Sequence, residues 1–260
     1  MNRRRSCPWR SVTFSSEVGE DVSGAVSPLS GQRLWSLLQL SDQLFPTGAY
    51  AFSHALEMYV AAGVLRDAHA CQQLLADLCW QSIGPSDLVF CAHAYRLAAA
   101  PEATTLTALL ELDRLVAATK GPRELRQESQ QTGQAFLRAA LTVYASPLLQ
   151  ALWQQVQQGR TPGHHALAFG VVAAALGIDA DSALLGYLYN VMAGLVAAAL
   201  RLVPLGQSAS QQLLYALGPL CLEVIQAYRD LPLDEVWSAT PGLDIRSMQH
   251  ERLYSRLCRS

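Results

Sequence analysis

Apolar residues recur at intervals of three and four through most of the chain, most clearly between Asp179 and Gln207. There Leu184, Leu188, Met192, Leu195 and Ala199 define one helical face. The remaining faces are also apolar or small, through Leu185, Tyr189, Ala193, Val196 and Leu200, and Asn190 is the one conventionally polar side chain between Ala183 and Leu200. A helix that is apolar all round has to be buried in protein or lipid. Asp179 is placed to cap it, Asp181 falls in its first turn, and Pro204 and Gly206 end it. It reads as the central post of a helical bundle.

The same pattern predicts further helices on either side. A first begins near Gln32 and stops at Phe45-Pro46-Thr47-Gly48, and a second runs from about Tyr50 to Ala62. Asp67 caps a third, which reaches Ile83 before a break at Gly84-Pro85. Ser86–Ala99, Pro101–Thr119 and Arg123–Tyr144 follow, and Pro147 opens a seventh. His165–Ile178 is a second core helix, and Ser208–Arg229 is the tenth. No stretch alternates with period two, so the fold class is all-α, a single bundle of about ten helices. Residues 1–30, rich in Ser, Gly and charge, read as a disordered tail, and residues 31–232 as the helical domain. Residues 233–260 lose the long helical period and read as a docking segment.

Composition narrows the classes. Hydrophobic residues make up 51% and charged residues 15%, ample for a large core and suggestive of apolar surface covered by partners. A net charge of −2 gives no support to a nucleic-acid-binding role. The core helix meets the length threshold for a membrane span, but its flanks lack an aromatic and basic belt on both sides. Its apolar neighbour, His165–Ile178, is too short to span, so no membrane is expected. Six cysteines (Cys7, Cys71, Cys79, Cys91, Cys221 and Cys258) show no paired-motif spacing, which favours a reducing, cytoplasmic setting.

Motifs for common catalysts are missing: no Walker A, GxGxxG, HExxH, CxxC or GxSxG pattern occurs. Ser53-His54 with Glu57 places an imidazole near a carboxylate, an arrangement that is more often structural than catalytic. Cys91/His93 and His164-His165 could donate to a metal, but neither carries a local set of four ligands. These readings leave no specific signal for a common catalyst and no complete metal site in view. The charged turn at Lys120, Arg123, Glu124 and Arg126, beside a glutamine-rich face that includes Gln130, reads either as a solvated helix face or as an interaction surface. In the terminal stretch, Arg252, Arg256 and Arg259 share one helical face and Leu253 and Leu257 another, with Met248, His250 and Tyr254 close by. Arg and Tyr are favoured interface anchors, which points to docking rather than fraying.

Four blocks make the chain recognisable: LLQLSDQLFPTGAYAFSHALE from residue 37, GPRELRQESQQTGQAFL from 121, the core pair HHALAFGVVAAALGI and YLYNVMAGLVAAALRLVPLGQ, and LDIRSMQHERLYSRLCRS at the end. In order and spacing they resemble the urease accessory protein F family. The resemblance implies a non-catalytic, all-α, cytoplasmic homodimer that binds a scaffold accessory protein (D, also called H) and a nickel-carrying GTPase (accessory protein G). The complex would engage apo-urease and deliver nickel at the expense of GTP, handling the metal without this chain storing it. On that reading Lys120, Arg123, Glu124, Arg126 and Gln130 are candidates for GTPase contact. Met248, His250, Arg252, Leu253, Tyr254, Arg256, Leu257 and Arg259 are candidates for scaffold docking, on a segment loosely packed until the partner binds. Leu188, Met192 and Leu195 are candidates for the core or the dimer contact. A helical small-molecule-binding protein or enzyme, or a membrane-embedded protein, is the alternative.

Overall fold

The computed structural model describes residues 29–100, 102–254 and Cys258, so the N-terminal tail and Cys7 lie outside the described residues. Among the described residues there are eleven α-helices and no strand, an all-α bundle. In order they are α1 (Gly31–Ser41), α2 (Leu56–Ala61), α3 (Ala68–Leu78), α4 (Val89–Ala99), α5 (Thr105–Thr119), α6 (Arg123–Val143), α7 (Pro147–Gln157), α8 (His165–Ala175), α9 (Ala180–Leu202), α10 (Gln207–Tyr228) and α11 (Pro241–His250).

Several starts follow the local chemistry of the sequence. Asp67 accepts from Ala70 N and Asp179 from Ser182 N, each satisfying an amide that the first helical turn leaves unpaired. Ser146 caps α7 with Pro147 in its first turn. Buried α8 and α9 form the middle of the bundle, with α4, α6 and α10 packed around them. Two glycines permit the closest approaches. A Cβ on Gly133 of α6 would lie within 2.5 Å of backbone atoms of Gly163, His164 and His165, and one on Gly170 of α8 would strike the α4 backbone at Cys91. The α9 helix is long and apolar enough to cross a membrane by length and composition, but 67% of its most apolar window is buried inside the bundle.

Three expectations are corrected. Gly84-Pro85 does not break the chain's third helix: α3 continues through a π-helical stretch, Cys79–Leu88, directly into α4. Proline lacks a donor and crowds the preceding turn, and a widened turn accommodates it without ending the helix. Tyr50–Ala62 is not one helix either. A 3₁₀ turn at Ala49–Ala51 is followed by His54 and Ala55 at φ 52° and 61°, and only Leu56–Ala61 is α-helical. Non-glycine residues rarely adopt that left-handed region, and such strain concentrates at functional positions.

The third correction concerns the C-terminal segment. Trp237 N donates to Pro85 O and Ala239 N to Gln81 O, carbonyls belonging to the π-helical stretch. This hydrogen bonding leads the chain into α11, which packs on α2 and α6 and buries Leu243, Ser247 and His250. Met248–His250 thus form the last turn of a helix packed on the bundle.

Candidate functional site

The polar first half of α6 faces inward. Glu124, Glu128 and Thr132 recur every four residues, and all three are buried. Buried carboxylates are costly unless partnered, and imidazoles from two other elements partner these. The Nδ1 atom of His250 on α11 lies 2.8 Å from Glu124 Oε2, and its Nε2 lies 3.2 Å from Glu57 Oε2 on α2. Glu57 also accepts from Cys258 N at 3.2 Å. One turn along α6, Glu128 Oε1 lies 2.6 Å from His54 Nδ1, the residue held in the left-handed conformation. His250 is fully buried. It fastens the C-terminal helix to α2 and α6 by both ring nitrogens.

The turn before α6 is similarly turned inward. Lys120 Nζ pairs with Asp87 at 2.7 Å, and Arg126 Nη1 donates to Lys120 O at 2.7 Å and Gly121 O at 3.2 Å. Of the five residues expected to form a charged contact face, Lys120, Glu124 and Arg126 thus have internal partners. Arg123 is exposed and Gln130 half-buried.

Two cavities flank the Lys120–Asp87 pair, and Ser82, Leu125 and Leu243 line both as well. The outer, about 320 Å³, lies against Thr119, Trp237 and Asp244. The inner, about 130 Å³, is lined by His54, Glu128, Ser129, His165, Tyr187 and Asn190. His165 sits among the rings of Phe136, Phe169 and Tyr187 with its buried Nε2 unpartnered, and burial pushes its pKa down to about 4. Desolvation depresses His164 to about 4 as well, and its Nδ1 lies 3.0 Å from Ser129 Oγ. Among the described residues no carboxylate partners His164 Nε2, so there this Ser–His pair lacks the third group that would orient a catalytic base. The backbone around it is held by Asp113, fully buried, which accepts from Thr161 Oγ1 at 2.5 Å, Gly163 N at 2.6 Å and His164 N at 2.9 Å.

Among the described residues no group of three or more His, Cys, Asp or Glu side chains is arranged to hold a metal ion. The pair Cys91/His93 is divided: Cys91 is buried in the core, while His93 Nε2 lies 3.0 Å from Leu231 O. The inner chamber, about 130 Å³, is smaller than the outer cavity of about 320 Å³ beside it.

The surface also offers candidate recognition residues. On α11 and just beyond, Ile245, Met248 and Tyr254 are exposed, with Arg252 between them and Leu253 half-buried. Arg256, Leu257 and Arg259 lie outside the described residues. Leu188, Met192 and Leu195 are core residues of the single chain, no more than 2% exposed. The uncovered apolar side chains of the same region are Leu34, Trp35 and Leu38 on α1, and Leu185 and Tyr189 on α9. These helices are joined by Ser41 Oγ to Gly186 O and Asn190 Nδ2 to Ser41 O.

No local pattern marks the His250 clamp, since its partners lie 126 and 193 residues away. The four-residue spacing of Glu124 and Glu128 was the one signal that could have marked an inward acidic stripe.

The UreF family model matches residues 65–218. The chain is 31% identical to the urease accessory protein UreF of Bacillus sp. (strain TB-90), over 86% of this chain and 98% of that protein. It is 35% identical to the UreF of Bradyrhizobium sp. (strain BTAi1), over 92% and 97% of the two chains. It is 37% identical to that of Methylobacterium sp. (strain 4-46), over 83% and 84%.

Proposed function

Because this chain belongs to the urease accessory protein UreF family, we propose that it is a non-catalytic, cytoplasmic assembly factor for the nickel centre of urease. In this reading it bridges the scaffold accessory protein and the nickel-carrying GTPase, and the complex engages apo-urease. Nickel is cargo of the complex and is not held as a cofactor of this chain.

The observation that carries the reading is the outer face of α11. Ile245 is 55% and Met248 51% exposed on a helix whose other side is pinned by buried contacts between His250 and two carboxylates. Large apolar and aromatic side chains held on a rigid support are what an interface hot spot requires. We assign scaffold docking to Met248, Arg252, Leu253 and Tyr254, continuing through Arg256, Leu257 and Arg259. His250 is the buried fastening beneath them and not itself a contact. GTPase contact falls to Arg123 and Gln130, with Lys120, Glu124 and Arg126 shaping the turn that presents them. The homodimer uses the uncovered apolar side chains of α1 and α9.

The test is co-purification of the full chain with the scaffold protein and the GTPase. Ile245→Asp with Met248→Asp should abolish scaffold capture, and Arg123→Glu should weaken GTPase recruitment with scaffold capture intact. Normal capture of the scaffold by the folded double variant would refute the assignment.

A further inference from the structure

The outer cavity beside the Lys120–Asp87 pair has walls that the contacts assigned above leave unused. One wall is the π-helical stretch with the turn before α6, and the other is the segment that leads into α11. That second wall is held from behind. Besides the backbone bonds of Trp237 to Pro85 and of Ala239 to Gln81, Ser238 Oγ donates to Ser82 Oγ at 3.0 Å. The Trp237 ring packs edge to face on Tyr228, with centroids 6.2 Å apart. The indole nevertheless stays 39% exposed and lines the cavity, together with Ser82, Ser86 and Thr119. The Thr119 hydroxyl gives its proton to Val116 O, so its lone pairs remain to accept.

Charge decides what such a cavity would take. Three acidic or basic side chains line it, Asp87, Lys120 and Asp244. Lys120 Nζ lies 2.7 Å from Asp87 Oδ1 and 2.9 Å from Oδ2, so those two charges cancel. Asp244 is left over. It is half-buried in the first turn of α11, and among the described residues its carboxylate has neither a hydrogen bond nor an ion pair. Burial pushes its pKa up, against a smaller opposite pull from Lys120. A cation beside it would offset that desolvation. The walls therefore combine one surplus negative charge, an indole and several hydroxyls.

We propose that the outer cavity is an anchor pocket for one arginine side chain of a partner protein, its guanidinium lying against Trp237 and Asp244. A guanidinium is planar, stacks on aromatic faces and carries five N–H donors, which the carboxylate and the hydroxyls can accept. An ammonium is a compact and more strongly hydrated charge, and fits these walls less well. Leu125 and Val236 line the cavity where a methylene stem needs apolar cover. A cavity of about 150 Å³ holds a benzene molecule, and this one, at about 320 Å³, has room for the whole side chain. Arginine is also a favoured interface anchor. The pocket is read from this chain's own walls and does not depend on which partners are bridged.

The experiment follows the Trp237 indole N–H of the full, ¹⁵N-labelled chain by NMR, assigned by its loss in Trp237→Phe. N-acetylarginine methylamide should shift that signal saturably. The citrulline analogue, of the same shape but uncharged, should bind about tenfold more weakly, and the lysine analogue should fall between. Asp244→Asn should bring the arginine probe down to the citrulline level with helical circular dichroism unchanged. The comparison of probes on the unaltered chain stands even if that variant fails to fold. Equal binding of the arginine and citrulline probes, full arginine binding by folded Asp244→Asn, or no saturable shift would overturn the proposal. Tighter binding of free arginine than of the blocked probe would assign the pocket to a free amino acid, and a Trp237 signal that moves on diluting the chain alone would assign it to a second copy. Either result would overturn the partner's side chain as occupant.

Discussion

Replacing His250 by alanine should release α11 from the bundle while leaving the bundle itself folded. The imidazole makes two contacts to carboxylates, 2.8 Å to Glu124 and 3.2 Å to Glu57, from a position with no solvent exposure. A hydrogen bond to a charged group contributes about 1.5–3 kcal/mol. Removing the ring also leaves Glu124, 7% exposed, without its imidazole donor. A loss of about 3 kcal/mol corresponds to at least about a hundredfold increase in opening, at 1.4 kcal/mol per decade. Native-state hydrogen exchange reads this directly: amides of α11 should lose about two decades of protection while those of α8 and α9 keep theirs. His250→Gln, which retains one donor, should fall between. Unchanged protection in α11, or an equal loss across α8 and α9, would refute the claim that this residue fastens one helix to an independently stable bundle.

Further outcomes follow from the same geometry. Asp113→Ala leaves Thr161, Gly163 and His164 without a buried acceptor and should cost about 3–5 kcal/mol in denaturant unfolding; a loss below about 1 kcal/mol would show that the turn before α8 is held by something else. His164 and His165 have folded pKa values of about 4, below the usual 6.5, so folding favours their neutral forms. Their contribution is whole above pH 6.5 and is lost as pH falls toward 4, at about 1.4 kcal/mol per pH unit for each ring. Urea titrations at pH 7 and 5 should show that slope, and His165→Gln should flatten it. Trp35→Asp with Leu38→Asp, on side chains 70% and 60% exposed, should convert a dimer to a monomer by light scattering without lowering helicity. A dimer that survives both charges lies on another face.

Local signals carried much of the fold. The caps at Asp67 and Asp179, the proline at the start of α7 and the apolar faces of α8 and α9 are short-range features, and each forms where its residues predict. The π-helical stretch was not legible, because Gly84-Pro85 reads as a helix stop and its rescue comes from Trp237 and Ala239, more than 150 residues on. The left-handed pair His54-Ala55 was equally hidden: alanine and histidine carry no turn signature, and a tertiary contact to Glu128 accompanies the strain. Pro241–His250 is only ten residues long, too short to be stable alone, and its order comes from burial of Leu243 and His250 against α2 and α6. The charges of the turn before α6 predict a surface. Composition does not show which side of α6 faces the bundle, and Glu124 lies within it.

The account's central claim is tested most directly in a urease-positive cell lacking its own UreF. Complementation with this chain, together with the scaffold and GTPase it is meant to bridge, should restore the nickel content of purified urease. The folded Ile245→Asp/Met248→Asp variant should leave the urease abundant but nickel-poor. If that variant loads nickel as well as the parent chain, or if the parent restores none, the bridging role built on the outer face of α11 is wrong.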